Sequence, residues 1–196
     1  MFVLGLTGSI GMGKTTAAAM FRCQKIPVYD ADAGVHQLLA TGGAAVPAVR
    51  AAFPGVARDG GVDRRALGQI VFDDPQALGR LESILHPLVR KQQTAFLRSS
   101  AGQRRRLVVL DIPLLFETGG DATCDAVAVV SAPFYLQRLR VLGRSGMTAE
   151  KFSGILARQM SDLEKRQQAD FIIPTGLGRR FSLLSIQEII KVVTAR

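Results

Sequence analysis

Residues 2–15 read FVLGLTGSIGMGKT, and they divide into an apolar half and a glycine-rich half. The apolar half, Phe2–Thr7, predicts a buried β-strand. The glycine-rich half, Gly8–Thr15, matches the pattern G-x-x-x-x-G-K-[ST] at every fixed position. In that pattern the glycines let successive backbone N–H groups turn toward one anion. Because Lys14–Arg22 contains few helix breakers, the order of strand, loop and helix predicts a phosphate-binding loop.

The residues of this loop predict a nucleoside triphosphate and a divalent metal ion as ligands. We expect Lys14 to contact the β- and γ-phosphates and the Thr15 hydroxyl to bind Mg²⁺. The N-terminus of the following helix adds its dipole to the same anion site. The sequence contains no Asn-Lys-x-Asp run of the kind that reads guanine, so ATP is favoured over GTP. The predicted ATP-binding residues are Gly8, Ser9, Ile10, Gly11, Met12, Gly13, Lys14, Thr15 and Thr16.

Short apolar runs alternate with longer helical stretches along the rest of the chain. Further strands are predicted at Pro27–Asp30, Leu107–Asp111, Ala126–Ser131 and Phe171–Ile173, and further helices at Pro133–Leu142, Ala149–Gln159 and Ser182–Val193. Strands that are apolar throughout are typical of a parallel sheet covered on both faces. The predicted fold class is therefore α/β, a doubly wound parallel five-stranded sheet of the P-loop kinase type.

Two intervals interrupt this alternation. Residues 33–102 show no convincing strand, only helical segments separated by Gly- and Pro-bearing breaks, and they predict a helical substrate-binding insertion. Residues 138–166 are rich in Arg and Lys and lack strand character. The nucleotide-binding core then consists of residues 1–32, 103–137 and 167–196.

The composition indicates which classes of molecule the protein is expected to bind. The chain carries 25 Lys and Arg against 16 Asp and Glu, a formal net charge of +9. Basic residues do not alternate with aromatic ones as in many nucleic-acid-binding surfaces, so small polyanionic substrates explain the charge better than nucleic acid does. No apolar run approaches the ~20 residues of a membrane helix, and no signal peptide is recognisable. We expect a cytoplasmic monomer or weak homo-oligomer, with Cys23 and Cys124 as reduced, partly buried thiols.

Acidic residues follow two of the predicted strands. Asp30 and Asp32 stand where the second strand meets the insertion, and Asp111 ends the third strand. Ligands in open α/β sheets bind beyond the carboxyl ends of the strands, so one of the first two carboxylates is placed to accept the proton of an acceptor hydroxyl. A helix N-cap is an equally good interpretation of either residue. Asp111 is suited to hold Mg²⁺ directly or through water, although capping of the next loop is also consistent with its position.

Several discriminating runs make the chain resemble the dephospho-CoA kinase family over nearly its whole length. These runs are Gly5–Thr15, Tyr29–Asp32, Leu85–Arg90, Leu110–Glu117 and Ala169–Ile173, with Gln137, Arg140 and Arg144 in the lid region. Members of that family transfer the γ-phosphate of ATP to the ribose 3′-hydroxyl of dephospho-CoA, the last step of coenzyme A biosynthesis. The resemblance implies a nucleotide-binding core, a helical CoA-binding domain at residues 33–102 and a lid at residues 138–166.

The resemblance also assigns roles by matching position. Catalysis would fall to Asp32, Lys14, Arg140 and Arg144, and metal binding to Thr15 and Asp111. The dephospho-CoA site would include Thr7, Asp32, His86, Pro113, Leu115 and Glu117. Arg140 and Arg144 are four residues apart, which predicts that they share one helical face toward the ATP phosphates. His86-Pro87, taken without the resemblance, is more typical of a helix end.

The sequence departs from the family pattern in the adenine region and in the lid, and it leaves two alternatives open. Pro174-Thr175-Gly176 follows the last strand where an Asp or Asn is usual, and Ile155 stands where many members carry Arg. One alternative is another small P-loop kinase acting on a nucleoside or nucleoside monophosphate. The other is a basic regulator that binds ATP and nucleic acid without phosphoryl transfer. Asp32 and Asp111 beside the loop favour transfer over binding alone.

Overall fold

The computed structural model describes residues 1–72 and 74–195, which form two compact units. The first unit comprises Met1–Tyr29 and Ser100–Arg196, and the second comprises Asp30–Ser99. The insertion predicted at residues 33–102 thus corresponds to a unit that begins and ends three residues earlier. The predicted lid, residues 138–166, falls within the first unit, and its separate movement stays a prediction.

The first unit is built on a five-stranded sheet of order β2-β5-β1-β6-β7. Its strands are β1 (Phe2–Thr7), β2 (Val28–Asp30), β5 (Leu107–Asp111), β6 (Ala126–Ser131) and β7 (Phe171–Pro174). Its helices are α1 (Lys14–Cys23), α6 (Phe134–Leu142), α7 (Ala149–Ala157), α8 (Asp162–Gln168) and α9 (Arg179–Thr194), with a short 3-10 helix at Gly120–Thr123. β1 pairs in parallel with β5 and with β6, and β6 pairs in parallel with β7. The predicted α/β class and the five strands are confirmed.

The main core packs α1 and α9 against the sheet. It contains Leu4 and Leu6 of β1, Phe21 of α1 and Ile186 of α9, each fully buried. Every residue of β5 is buried, as expected for a strand covered on both faces. The phosphate loop therefore follows β1, the central strand of this sheet.

The second unit has its own hydrophobic core. Its elements are α2 (Ala31–Leu39), α3 (Val46–Ala52), β3 (Ala57–Arg58), β4 (Gly61–Val62), α4 (Arg64–Phe72) and α5 (Pro75–Gly102), the last of which crosses the unit boundary. Val49 of α3 and Leu67 of α4 belong to a cluster with Leu81 and Leu85 of α5. Burying this apolar surface lets the unit hold its own structure.

Two expectations about the second unit are wrong. The antiparallel pair β3–β4 was not predicted, although Asp59-Gly60 between its strands has positive φ at both residues (47° and 78°), the conformation of a type I′ turn. His86-Pro87 does not end a helix either. It lies in the middle of the 28-residue α5, where Pro87 supplies no backbone N–H to the helix.

No helix within residues 1–72 and 74–195 is both long enough and apolar enough to cross a bilayer. Both cysteines are free; Cys124 is partly buried as expected, whereas Cys23 at the end of α1 is exposed.

Candidate active site

The phosphate loop has the backbone that its glycines predict. Gly11 and Gly13 adopt positive φ values of 77° and 93°, which residues with a Cβ rarely reach. A Cβ on Gly11 would also lie 2.5 Å from Cγ2 of Val141. α1 begins at Lys14 with no side-chain cap and no acidic residue in its first turn. Its first N–H groups and its positive dipole end are therefore left for an anion.

Lys14 and Asp111 are brought together at the carboxyl ends of β1 and β5. The Lys14 Nζ atom donates to Asp111 Oδ1 at 2.6 Å. The Asp111 side chain is only 3% exposed, so the lysine compensates a carboxylate that has lost most of its water. The ion pair places the predicted phosphate-binding cation beside the predicted metal-binding carboxylate.

The donor set at this point fits a magnesium ion. Thr15 and Thr16 are exposed in the first turn of α1, and Asp111 ends the neighbouring strand. No group of three or more His, Cys, Asp or Glu residues with metal-binding geometry occurs in residues 1–72 and 74–195. Mg²⁺ commonly takes one or two protein oxygens and completes its octahedron with phosphate oxygens and water. A hydroxyl and one carboxylate are therefore sufficient.

α6 supports the phosphate loop from the side. Gln137 Nε2 donates to the Ile10 carbonyl at 2.8 Å, and Arg140 Nη1 donates to the Gly11 carbonyl at 3.4 Å. Arg140 also reaches the segment that follows β7, where its Nη2 atom donates to the Thr175 carbonyl at 2.7 Å. The segment that departs from the family pattern is thus tied to the loop through Thr175, whose hydroxyl in turn donates to the Met12 carbonyl at 2.6 Å.

Arg144 does not share a helical face with Arg140, because α6 ends at Leu142. Arg144 lies beyond the C-cap Gly143, and its side chain is exposed. The expectation drawn from the four-residue spacing is therefore wrong for this pair. The role of Arg144 toward ATP stays a prediction.

Asp30, and not Asp32, caps α2. Asp30 Oδ1 accepts the backbone N–H of Ala33 at 2.9 Å, and Asp30 has the extended backbone of an N-cap. Asp32 lies in the first turn of α2 with an exposed side chain. Within residues 1–72 and 74–195 its carboxylate has no hydrogen bond or ion pair. Of the two interpretations open for this pair, the capping role belongs to Asp30, so the Asp32 carboxylate stays available.

The remaining predicted acceptor-site residues have different environments. His86 is exposed on α5. Thr7 is buried, and its hydroxyl donates to the Pro113 carbonyl at 2.9 Å. Leu115 is fully buried and packs with Val127 and Val129. The Leu115 side chain thus fills the core between β6 and the chain after β5, and its place in the dephospho-CoA site stays a prediction.

Glu117 is engaged by a lysine that the sequence did not single out. Lys165 Nζ lies 2.8 Å from Glu117 Oε1 and 3.1 Å from Oε2, and the Lys165 side chain is completely buried. Burial opposes ionisation of Glu117, but the hydrogen bonds from Lys165 and from the backbone outweigh it, so the pKa of Glu117 lies below its usual range. Lys165 belongs to α8, whose capping box Ser161–Glu164 was a readable signal for the helix but not for a buried lysine.

The comparisons with known proteins agree with this geometry. The sequence matches the family model described as dephospho-CoA kinase over residues 2–176. It is 63% identical to a dephospho-CoA kinase of Paramagnetospirillum magneticum, over 85% of this chain and 78% of that protein. It is 56% identical to a dephospho-CoA kinase of Rhodospirillum rubrum, over 94% of this chain and 88% of that protein.

A solved structure extends the similarity to the fold. The crystal structure of a protein from Thermus thermophilus superimposes with a TM-score of 0.84 at 32% identity, covering 97% of this chain and 96% of the other. The family match covers residues 2–176, a range that includes the phosphate loop, Asp32 and Asp111, and the superposition covers nearly the whole chain. The chain belongs to the dephospho-CoA kinase family.

Proposed function

We propose that this protein transfers the γ-phosphoryl group of ATP to the ribose 3′-hydroxyl of dephospho-CoA, which forms coenzyme A in the last step of its biosynthesis. The observation that carries the proposal is the family match over residues 2–176, which spans the core and the helical unit. The complete phosphate loop with Lys14 held against Asp111 supports phosphoryl transfer as the chemistry. An accompanying part of the proposal is that the substrates are small molecules, with neither nucleic acid nor membrane as a partner.

On the nucleotide side, the loop amides and the start of α1 bind the phosphates. With ATP in the loop, Lys14 would contact the β- and γ-phosphate oxygens, and Thr15 and Asp111 would hold Mg²⁺. Mg²⁺ bound there would neutralise negative charge on the β- and γ-oxygens. Arg140 fixes the loop and the Thr175 segment, so that the nucleotide meets a preformed surface.

On the acceptor side, Asp32 orients the 3′-hydroxyl and takes its proton. The oxygen of that hydroxyl forms a bond to the γ-phosphorus, the bond to the β–γ bridging oxygen breaks, and ADP leaves. The support is that Asp30 supplies the cap of α2, which leaves the Asp32 carboxylate exposed at the point where the chain leaves β2. His86 and the backbone around Pro113 are proposed to line the acceptor, and Glu117 is treated separately below.

The direct test is a panel of acceptors with the purified full-length chain, ATP and Mg²⁺. We expect ADP release that depends on dephospho-CoA, with coenzyme A identified by mass spectrometry. Adenosine and AMP should give little turnover. Faster turnover with a nucleoside or nucleoside monophosphate would favour the other kinase alternative. ATP consumption that needs nucleic acid and gives no phosphorylated acceptor would favour the regulator.

Arg144→Ala is expected to slow transfer about 10- to 100-fold, a smaller loss than that of a dedicated arginine finger. Its side chain is exposed and fixes nothing within the described residues, so the melting temperature should stay near that of the unchanged protein. Arg140→Ala should instead weaken ATP binding and lower the melting temperature, because its hydrogen bonds hold the loop. Steady-state kinetics and thermal melts measure both, with the exposed Arg180→Ala as the control. An Arg144→Ala enzyme with unchanged rate would make Arg144 a surface residue without a role in transfer.

A further inference from the structure

The segment Gln159–Met160, between α7 and α8, lies against the phosphate loop. Gln159 Oε1 accepts the backbone N–H of Ile10 at 3.1 Å. The Ser9 hydroxyl donates to the Met160 carbonyl at 3.5 Å. Two consecutive residues of the loop thus contact two consecutive residues of a segment about 150 positions later in the chain. We call Gln159–Met160 the strap.

The other side of the strap is held by Glu117. The Met160 backbone N–H donates to Glu117 Oε1 at 2.9 Å, and Lys165 holds the same carboxylate. Lys165 Nζ also donates to the Pro113 carbonyl at 3.4 Å, and that carbonyl accepts the Thr7 hydroxyl. The strap is therefore fixed between the phosphate loop and the chain that follows Asp111.

The buried ion pair between Glu117 and Lys165 is suited to hold the strap in one position. The Lys165 ammonium is fully buried, so it is tolerated only while Glu117 and the Pro113 carbonyl surround it. A buried pair with additional backbone hydrogen bonds has one good arrangement, and removal of either charge leaves the other without compensation. The position of Met160 relative to Glu117 is thus closely determined, and with it the position of Gln159 on the Ile10 amide.

We infer that Glu117 and Lys165 are positioning residues that hold the strap against the phosphate loop, and that they act on ATP binding rather than contact the acceptor. This inference depends on the proposed function in one respect, which is that dephospho-CoA is the acceptor. It differs from the role that the family resemblance implies for Glu117, which is a place in the dephospho-CoA site. The two roles predict changes in different binding constants.

The experiment compares Glu117→Gln, Lys165→Met and Gln159→Ala in the full-length chain. Gln159→Ala removes the carboxamide that reaches Ile10 and leaves the ion pair intact, so it tests the strap without disturbing the fold. ATP binding is measured by calorimetric titration without an acceptor, and KM is then measured for ATP and for dephospho-CoA. We expect each variant to bind ATP about 3- to 10-fold more weakly, the size of one lost hydrogen bond, with the KM for dephospho-CoA within about twofold.

The double variant Glu117→Gln/Lys165→Met adds a check on coupling. Its loss of ATP affinity should be smaller than the product of the two single losses, because both single changes disturb the same strap. It should also melt higher than the less stable single variant, since no buried charge is left unpaired.

The inference fails if Glu117→Gln raises the KM for dephospho-CoA while ATP binding stays unchanged, because Glu117 would then contact the acceptor. It also fails if Gln159→Ala leaves ATP binding unchanged while the Glu117 and Lys165 variants only lower the melting temperature, because the pair would then be structural. Binding of ATP without phosphorylation of dephospho-CoA would reject the proposed function, but the strap would still be tested by the titration with ATP, which needs no acceptor.

Discussion

Lys14→Ala is expected to lower turnover by roughly 10²-fold or more, the loss that follows removal of one electrostatic stabiliser of a transition state. Negative charge redistributes over the β- and γ-phosphate oxygens during transfer, and the Lys14 ammonium is the cation aimed at them from the loop. Initial rates with saturating ATP and dephospho-CoA measure the effect. A Lys14→Ala enzyme within a few-fold of the unchanged rate would show that Gly8–Thr15 does not serve as the catalytic phosphate loop.

The Lys14–Asp111 pair complicates the interpretation of this variant and also supplies its control. Removing one partner of a largely buried ion pair costs up to roughly 3–5 kcal/mol, so Lys14→Ala alone could lose activity by unfolding. Lys14→Ala/Asp111→Asn leaves no unpaired carboxylate and should recover most of the melting temperature, while its turnover stays low. Lys191→Ala, an exposed lysine on α9, should change neither. Recovery of turnover together with stability in the double variant would assign Lys14 to the fold rather than to catalysis.

Much of the fold could be predicted because its signals are local. β1, β5 and β6 begin and end at the predicted residues, since short apolar runs buried on both faces of a sheet leave little doubt about their limits. α7 ends two residues before its predicted limit, at a place where Gln159 and Met160 have hydrogen-bonding partners elsewhere in the chain. Tertiary contacts of this kind are not visible in the sequence. The hairpin at Asp59-Gly60 was readable from its turn residues and was missed.

The candidate site likewise contains residues that could be predicted from the sequence and residues that could not. Spacing alone was enough to find Lys14 and to place Asp111 at a neighbouring strand end, because both depend on where a strand stops. Lys165 has no signal in its own segment, since its burial depends on Glu117 and Pro113, about 50 residues earlier. Leu115 was assigned to the acceptor site because it lies within a discriminating run, yet its burial shows that part of such a run serves packing.

Asp32→Asn is the variant that tests the acceptor side of the mechanism. General base catalysis contributes typically 10²–10⁴-fold, and we expect a loss of turnover in that range. Asn keeps the size of the side chain but cannot accept the proton of the 3′-hydroxyl. Since Asp30 caps α2, the variant should melt near the unchanged protein, apart from the loss of a favourable charge at the helix start worth about 0.3–1 kcal/mol. ATP and dephospho-CoA should bind nearly normally, as measured by titration.

Asp30 provides the matched control, because it lies two residues away and caps α2, whereas Asp32 is the proposed base. Asp30→Asn should keep both cap and turnover, since Asn is about as good an N-cap as Asp, whereas Asp30→Ala should lose about 0.5–2 kcal/mol of stability with turnover largely retained. The opposite result, with Asp30→Asn inactive and Asp32→Asn active, would identify Asp30 as the base and leave the rest of the proposed site unchanged. If both Asn variants stay active, neither carboxylate takes the proton. The acceptor hydroxyl would then have to be oriented by other groups, and the proposed mechanism would be wrong on its acceptor side.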